Sequence, residues 1–309
     1  FVLSIFSFTV YSQHTNLSLD RNYTSDVNKV LYISEPDIHT SFKPIIRSNL
    51  SFTIDSVIDT HYPNSYKNWY LRKLLSEHLI ILYGNDYKVT VSPIINFSEG
   101  KELIDSKNTF ANSRGYLIQG DIGRKFSFST SFVENQAIFS NYLDSYVRDN
   151  RVVPGQGYAR SFKETGFDYA MSSGYVTYMA NNIFAVQFGH GKNFIGDGYR
   201  SLLLSDNAFN YPYLKLQTNL GKVQYTNLYA ELMDIGYFAT HGLLNWSQMG
   251  YAKKYLSSHY LSFHVNNKFN LSLFESVVWR MDHDPKNRRF NINYLNPIKM
   301  LSLIDLPES

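Results

Sequence analysis

The residues best suited to recognition chemistry lie in a glycine-rich stretch in the second half of the chain. Residues 188–216 read FGHGKNFIGDGYRSLLLSDNAFNYPYLKL. Four side chains there supply an aromatic ring, a planar fork of donors and two acceptor groups, which together suit a sugar. They are Tyr199, Arg200, Asp206 and Asn207. We predict that they bind a ligand. The alternative is that the glycines only let a strand kink and its loop fold inward.

Motifs for catalysis or nucleotide binding are missing from the sequence. Lys192 is followed by Asn193, and not by the Ser or Thr that a phosphate-binding loop requires. Neither a GxSxG turn nor an HExxH motif occurs. Carboxylates are abundant enough for a glycosidase pair, but the sequence alone pairs none of them. The run Asp282-His283-Asp284 precedes Pro285, which favours a turn over a cation site. We therefore predict no catalytic residue, no metal and no cofactor.

Composition restricts the class of protein. The 309 residues carry a net charge of +3, so a nucleic-acid partner is not expected. Aromatic residues make up 16% of the chain, which excludes a disordered protein. The mean hydropathy of −0.27 excludes a bundle of membrane-spanning helices. Cysteine is absent, which excludes disulfides and thiolate sites. A secreted β-protein or a membrane β-barrel remains.

Most of the chain after residue 87 alternates with a period of two, which is typical of strands. Between residues 125 and 132, Phe126, Phe128 and Phe132 alternate with Ser127, Ser129 and Ser131. The pattern predicts strands at residues 87–97, 114–122, 125–132, 167–179, 184–188, 213–219, 223–233, 260–265, 269–273 and 290–294. Short turns follow at 122–125, 220–222 and 266–268. We predict an all-β fold, an antiparallel outer-membrane β-barrel of up-and-down layout.

The residues between the apolar positions are small or polar, with few charges. This favours a barrel, in which the phenylalanines would face lipid and the serines a wet interior. A soluble all-β protein is the alternative. Tyrosines near strand ends indicate aromatic girdles, with ordinary cross-strand pairing as the alternative. They are Tyr116, Tyr169, Tyr175, Tyr178, Tyr211, Tyr213, Tyr225, Tyr229 and Tyr260.

One or two short helices are also predicted. Apolar residues recur every three or four positions over residues 68–83, and Gly84 follows as a stop. This helix is too short to span a membrane, and we expect it on the periplasmic side of the barrel. A second helical pattern covers residues 137–148.

The ends of the sequence suggest a fragment. Residues 1–12 begin with an apolar run and read as the remnant of a signal peptide cleaved before Gln13. We expect a first, N-terminal part of the chain over residues 13–110, which contains the helix at 68–83 and the first strands. Residues 111–309 are expected to form a partial barrel, truncated at its end.

The glycine-rich stretch resembles the capsule-assembly Wzi family and its relative, the gliding-motility RemB family. The shared pattern is G-x-G-(Y/W)-R-S-L-x-L-S-x-N-A followed by P-x-L, found here at residues 196–208 and 212–214. Residues 153–157 and 69–84 are also similar, and the resemblance runs from about His39 to Pro297. The resemblance implies a β-barrel that is located in the outer membrane and either binds surface polysaccharide or supports gliding. The implied partners are outer-membrane lipid, surface polysaccharide and other envelope or motility proteins. It assigns no catalytic residue.

Three functions therefore compete. The first is a non-enzymatic outer-membrane barrel that attaches or assembles surface polysaccharide or serves motility. The second is a passive porin or transporter, which requires an open interior. The third is a secreted glycan-active protein on a soluble β-fold.

Overall fold

The computed structural model describes residues 14–34, 38–50, 68–75, 77–234, 252–266 and 269–280. In these ranges the helices are α1 (Arg21–Ser34), α2 (Trp69–Leu75) and α3 (Asn141–Asn150), with a 3₁₀ turn at Arg47–Asn49. The strands are β1 (Phe42–Lys43), β2 (Ile80–Tyr83), β3 (Tyr87–Lys101), β4 (Asn108–Ile122), β5 (Phe126–Ile138), β6 (Val152–Val153), β7 (Gly157–Phe162), β8 (Gly166–Met179), β9 (Phe184–Gly191), β10 (Phe194–Ile195), β11 (Tyr211–Leu220), β12 (Val223–Asp234), β13 (Ala252–Asn266) and β14 (Phe269–Arg280). No helix in the described ranges is long and apolar enough to cross a membrane.

The long strands form a single antiparallel sheet. Its order is β14-β13-β12-β11-β9-β8-β5-β4-β3-β2, with β7 also paired to β8. β1 and β10 form a separate two-stranded pair. Among the described residues the sheet is not closed, and its edges are β2 and β14. The prediction of an all-β, antiparallel fold is confirmed.

The period-two pattern located the strands correctly. Every predicted strand inside the described ranges is present, and most are longer than predicted. The predicted strand at 290–294, the turn at 282–284 and the signal remnant at 1–12 lie outside the described residues. The predicted boundary between residues 110 and 111 falls within β4, so one sheet runs across it.

The prediction of a single helix over residues 68–83 is wrong in its second half. α2 ends at Leu75, and residues 80–83 form β2, which pairs with residues 88–91 of β3. Ile80 and Ile81 are β-branched and favour extended backbone. The Gly84 amide donates to the carbonyl of Tyr87 at 2.9 Å and closes a hairpin turn. A helix and a strand placed end to end produced the apparent helical spacing.

The second predicted helix is shifted along the chain. Residues 137 and 138 still belong to β5, and α3 begins only at Asn141. Ser140 precedes the helix, and its carbonyl accepts from the Asp144 amide at 2.8 Å. The apolar residues at 137–138 therefore extend a strand, because their register with β8 continues through Ala137.

The sheet has two chemically different faces. We call residues 14–34 and 38–50 the N-terminal segment. The covered face is the face of the sheet that contacts this segment, and the other is the opposite face. Ser127 and Ser129 are buried on the covered face, and Phe126 and Phe132 are exposed on the opposite face. Ser131 and Phe128 follow the same alternation. The predicted separation of serines and phenylalanines is therefore confirmed.

Polar contacts fasten the N-terminal segment to the covered face. The His14 amide donates to Ser127 Oγ at 3.1 Å, and the Asn16 amide donates to Tyr175 Oη at 2.7 Å. Further along, His39 Nδ1 and Ser262 Oγ hydrogen-bond at 2.8 Å. The segment itself folds around α1 through a cluster of buried apolar side chains. The cluster consists of Leu17, Val27, Leu31 and Ile45.

The tyrosines of the covered face are core residues. Tyr211, Tyr213 and Tyr260 are almost fully buried and share a hydrophobic cluster with Phe42 of the N-terminal segment. The girdle prediction is wrong for these three, because strand-end position alone does not tell which face a tyrosine occupies. The Tyr213 hydroxyl reaches a partner by donating to Gln187 Oε1 at 2.8 Å.

The opposite face exposes large apolar side chains across nearly the whole sheet. They include Tyr87, Ile95, Phe97, Tyr116, Ile122, Phe126, Phe132, Val176, Phe188, Leu220, Phe263, Phe269, Leu271 and Leu273. The apolar character is interrupted at β12 and β13, where His259 Nδ1 and Asn227 Oδ1 hydrogen-bond at 2.6 Å. The rings of Tyr225 and Tyr229 lie beside His259, which is only 3% exposed. Their packing leaves little of this polar pair on the surface.

The two ends of the sheet also differ. At one end the strands are joined by short connections at residues 84–86, 123–125, 180–183 and 221–222. At the other end lie the long connections at 139–165, which contains α3, β6 and β7, and at 192–210. We call this the long-loop end, and the glycine-rich stretch lies there.

The β4–β5 pairing generates a stability prediction. A Cβ added at Gly115 would lie 2.0 Å from the backbone oxygen of Phe132, which cannot move without breaking the ladder. Gly115→Ala should lower the free energy of unfolding by about 1–3 kcal/mol. Gly191→Ala is the matched control, because its nearest contact would be Tyr213 Cε1 at 3.8 Å. Urea unfolding measures both, and equal midpoints for the two variants would contradict this register.

Candidate functional site

The glycine-rich stretch folds back onto the N-terminal segment at the long-loop end. After β9 the chain forms β10, which pairs with β1, so that Phe42 lies opposite Ile195. Gly196 has φ of +137°, a backbone conformation that side-chain-bearing residues rarely adopt. Its amide donates to the carbonyl of Ser41 at 2.7 Å. The glycine is thus required for this junction, as the alternative interpretation of the motif expected.

Ser201 shapes the next turn of the loop. Its hydroxyl donates to the Ile195 carbonyl and accepts from the amides of Leu203 and Leu204, each at 3.1 Å. The Ile195 amide donates to the Leu204 carbonyl at 3.0 Å. Residues 196–200 are thereby presented as a compact, exposed turn.

A buried cation connects this turn to the N-terminal segment. Lys43 Nζ donates to the Gly196 carbonyl at 2.6 Å and to Asp197 Oδ1 at 2.8 Å. Ser41 Oγ donates to the other carboxylate oxygen of Asp197 at 2.8 Å. Because the Lys43 side chain is only 8% exposed, this ion pair is better shielded from water than a surface pair.

An open cleft of about 480 Å³ lies between α1 and the glycine-rich turn. This volume is within the range of small-molecule sites. The cleft is lined by Leu19, Arg21, Ser25, Asn28, Lys29, Lys43, Phe194, Asp197, Gly198, Tyr199 and Asp206. It contains three cationic side chains and two carboxylates. We take this cleft as the candidate binding site.

Arg21 brings two of the predicted site residues together. Its guanidinium carbon lies 3.7 Å from the centroid of the Tyr199 ring, a cation–π distance. Its Nη2 lies 3.7 Å from Asp206 Oδ1. Asp206 therefore pairs with a residue of the N-terminal segment. Tyr199 remains 70% exposed despite this contact.

The other two predicted residues lie outside the cleft lining. The guanidinium of Arg200 is 5.2 Å from the Tyr199 ring centroid, and its side chain is exposed at the rim. Asn207 is directed towards the turn at residues 153–157, where its Oδ1 would lie 3.1 Å from a Cβ at Gly155. The structure thus groups Tyr199, Arg200 and Asp206, and separates Asn207.

Lys192 supports the loop from the side of Asn207. Its Nζ donates to the Gly155 carbonyl and so joins the turn at 153–157 to the glycine-rich stretch. Burial lowers the pKa of the Lys192 amine, while the negative charge of Asp206 acts in the opposite direction. Asp206 is therefore placed in the field of two cations, Arg21 and Lys192.

Sequence reasoning missed the half of the cleft that comes from the N-terminal segment. Arg21, Asn28 and Lys29 belong to α1, and the only local signal for this helix is the four-residue spacing of Val27 and Leu31. Lys43 is 154 residues from Asp197 in the sequence, and no pattern links them. The contribution of these residues depends on the fold.

Comparisons with protein-family models, with curated proteins and with solved structures find no match to this chain.

Lys43 provides a test of how the loop is held. Lys43→Met removes the donor to Gly196 and Asp197. This should lower the free energy of local opening of the turn by about 1–3 kcal/mol. We expect chymotrypsin to cut at the exposed Tyr199 several times faster in this variant, with a smaller change in global unfolding. Lys163→Met, in an exposed turn outside the cleft, is the control. Identical cleavage rates in both variants would show that Lys43 does not hold the loop.

Proposed function

We propose that this chain is an outer-membrane β-barrel protein of the Wzi or RemB type, which binds surface polysaccharide and has no enzymatic activity. The observation that carries the proposal is the exposed apolar opposite face. Large aromatic and aliphatic side chains stand exposed from β3 to β14. Leaving so much apolar surface in water would destabilise a water-soluble sheet. A lipid environment removes that cost.

The layout of the connections supports the same proposal. Outer-membrane barrels have short turns on the periplasmic side and longer loops outside. The sheet has short connections at one end and its long ones at the other. In this orientation the cleft beside Tyr199 faces the exterior, where a surface polysaccharide would be met.

The N-terminal segment favours a binding protein over an open pore. Its residues pack against the covered face from Ser127 on β5 to Ser262 on β13. In a closed barrel this face would line the interior, and the segment would fill it. A passive porin requires that space to be open.

Binding is also better supported than hydrolysis. A glycosidase needs one carboxyl group as an acid and a second as a base or nucleophile. Each carboxylate of the cleft faces a cation: Asp197 is hydrogen-bonded to Lys43 at 2.8 Å, and Asp206 lies 3.7 Å from Arg21 in a longer ion pair. We therefore assign recognition to the cleft, with Tyr199 and Arg200 at its rim.

Arg200→Ala tests this function. Cells carrying the variant should retain several-fold less surface polysaccharide, because the exposed Arg200 guanidinium lies at the rim of the cleft, 5.2 Å from the centroid of the Tyr199 ring. Assembly in the outer membrane, measured by fractionation and heat-modifiable gel mobility, should stay normal. Arg160→Ala is the control, since Arg160 lies exposed on β7 outside the cleft. Loss of assembly would make Arg200 structural, and a protein found in the soluble fraction would contradict the proposal.

A further inference from the structure

The cleft contains one close and one long ion pair between its cations and its carboxylates. Arg21, Lys29 and Lys43 line it, against Asp197 and Asp206. Lys43 and Asp197 form a close pair at 2.8 Å. Arg21 and Asp206 are further apart, at 3.7 Å, which is beyond hydrogen-bond distance.

Arg21 is a fork of donors held in place by an aromatic ring. Its guanidinium lies against Tyr199, and its side chain is 37% exposed. Within the described part of the chain, its recorded contacts are this ring and the long ion pair with Asp206. A guanidinium in this situation can bind a carboxylate by donating two parallel hydrogen bonds to it. Arg200, on the same ring, adds a second guanidinium at the rim.

Another feature of the cleft suits an anion that carries hydroxyl groups. Asn28 lines the cleft, and its Oδ1 has no hydrogen-bond partner among the described residues. This oxygen is buried below the cleft surface, and it could accept from a sugar hydroxyl only after the side chain turns towards the cleft.

From this geometry we infer that the cleft binds an acidic glycan, a sugar chain that bears carboxylates, through Arg21 and Arg200. Asp206 serves as the internal counter-ion of Arg21, and the ligand carboxylate takes its place. Asp206 keeps a second cation nearby in Lys192, so its charge is not left uncompensated. This inference rests on the proposed function, because it names the class of polysaccharide that the same site takes.

An array of glycans tests the inference on the full-length protein in detergent. Each carboxylated glycan, of uronic or sialic acid type, is printed beside its methyl ester, together with neutral and phosphorylated glycans. We expect binding to the acidic glycans and at least tenfold weaker binding to the matched esters. Added salt should weaken binding to the acidic glycans. Arg21→Gln should reduce acidic binding at least tenfold. Arg21→Lys keeps the charge but loses the planar fork, so its affinity for acidic glycans should lie between those of Arg21→Gln and the unmodified protein. Arg160→Gln should bind as the unmodified protein does.

Asp206→Asn gives an independent readout. Removing the internal counter-ion should leave acidic binding equal or tighter, whereas a carboxylate that itself contacts sugar hydroxyls would weaken it. Gel mobility and thermal unfolding of every variant establish that it is folded. Equal binding of acids and esters, or binding through phosphate alone, would overturn the inference and leave polysaccharide binding in place. Failure to bind any glycan would overturn the proposed function as well.

Discussion

Gln187 of β9 occupies the point at which sheet and N-terminal segment depend on each other. It is 1% exposed, and its Nε2 donates to Thr177 Oγ1 at 2.7 Å and to Asn16 Oδ1 at 3.0 Å. Its Oε1 accepts from the Tyr213 hydroxyl at 2.8 Å. A polar side chain buried this deeply is tolerated only if its donors and acceptors are satisfied, and here β8, β11 and the N-terminal segment supply the partners. The polar covered face therefore requires the segment that covers it.

The same constraint builds the candidate site. Once residues 14–34 and 38–50 lie on the covered face, α1 starts beside the glycine-rich turn and β1 pairs with β10. As a consequence, Arg21 lies next to Asp206, and Lys43 lies next to Asp197. Binding chemistry and the filling of the sheet thus come from one segment. A change that loosens this segment should affect the cleft even when no cleft residue is altered.

Strands and their faces could be predicted from sequence because alternation is a local property. Phe126 and Ser127 differ in polarity, and their separation onto two faces follows from the strand period. The helix at 68–83 could not be assigned in this way, because its leucine spacing fits a helix and its β-branched residues fit a strand. Pairing with β3 decided the outcome for Ile80 and Ile81. Arg21 and Lys215 depend on long-range packing: Lys215 is buried on the covered face, with its Nζ 5.9 Å from the Phe42 ring centroid. No local pattern indicates either position.

The central claim is that the opposite face of the sheet meets lipid while the covered face meets the N-terminal segment. Because the chain has no cysteine, a single one can be introduced and spin-labelled at each position from 184 to 189. In lipid vesicles, collision rates of the label with dissolved oxygen and with a water-soluble nickel complex report the surroundings. Our account predicts high oxygen and low nickel accessibility at Val186 and Phe188, and low accessibility to both at Ala185, which packs against Ile46 of the N-terminal segment. Equal nickel accessibility at Val186, Phe188 and an exposed loop position would contradict it.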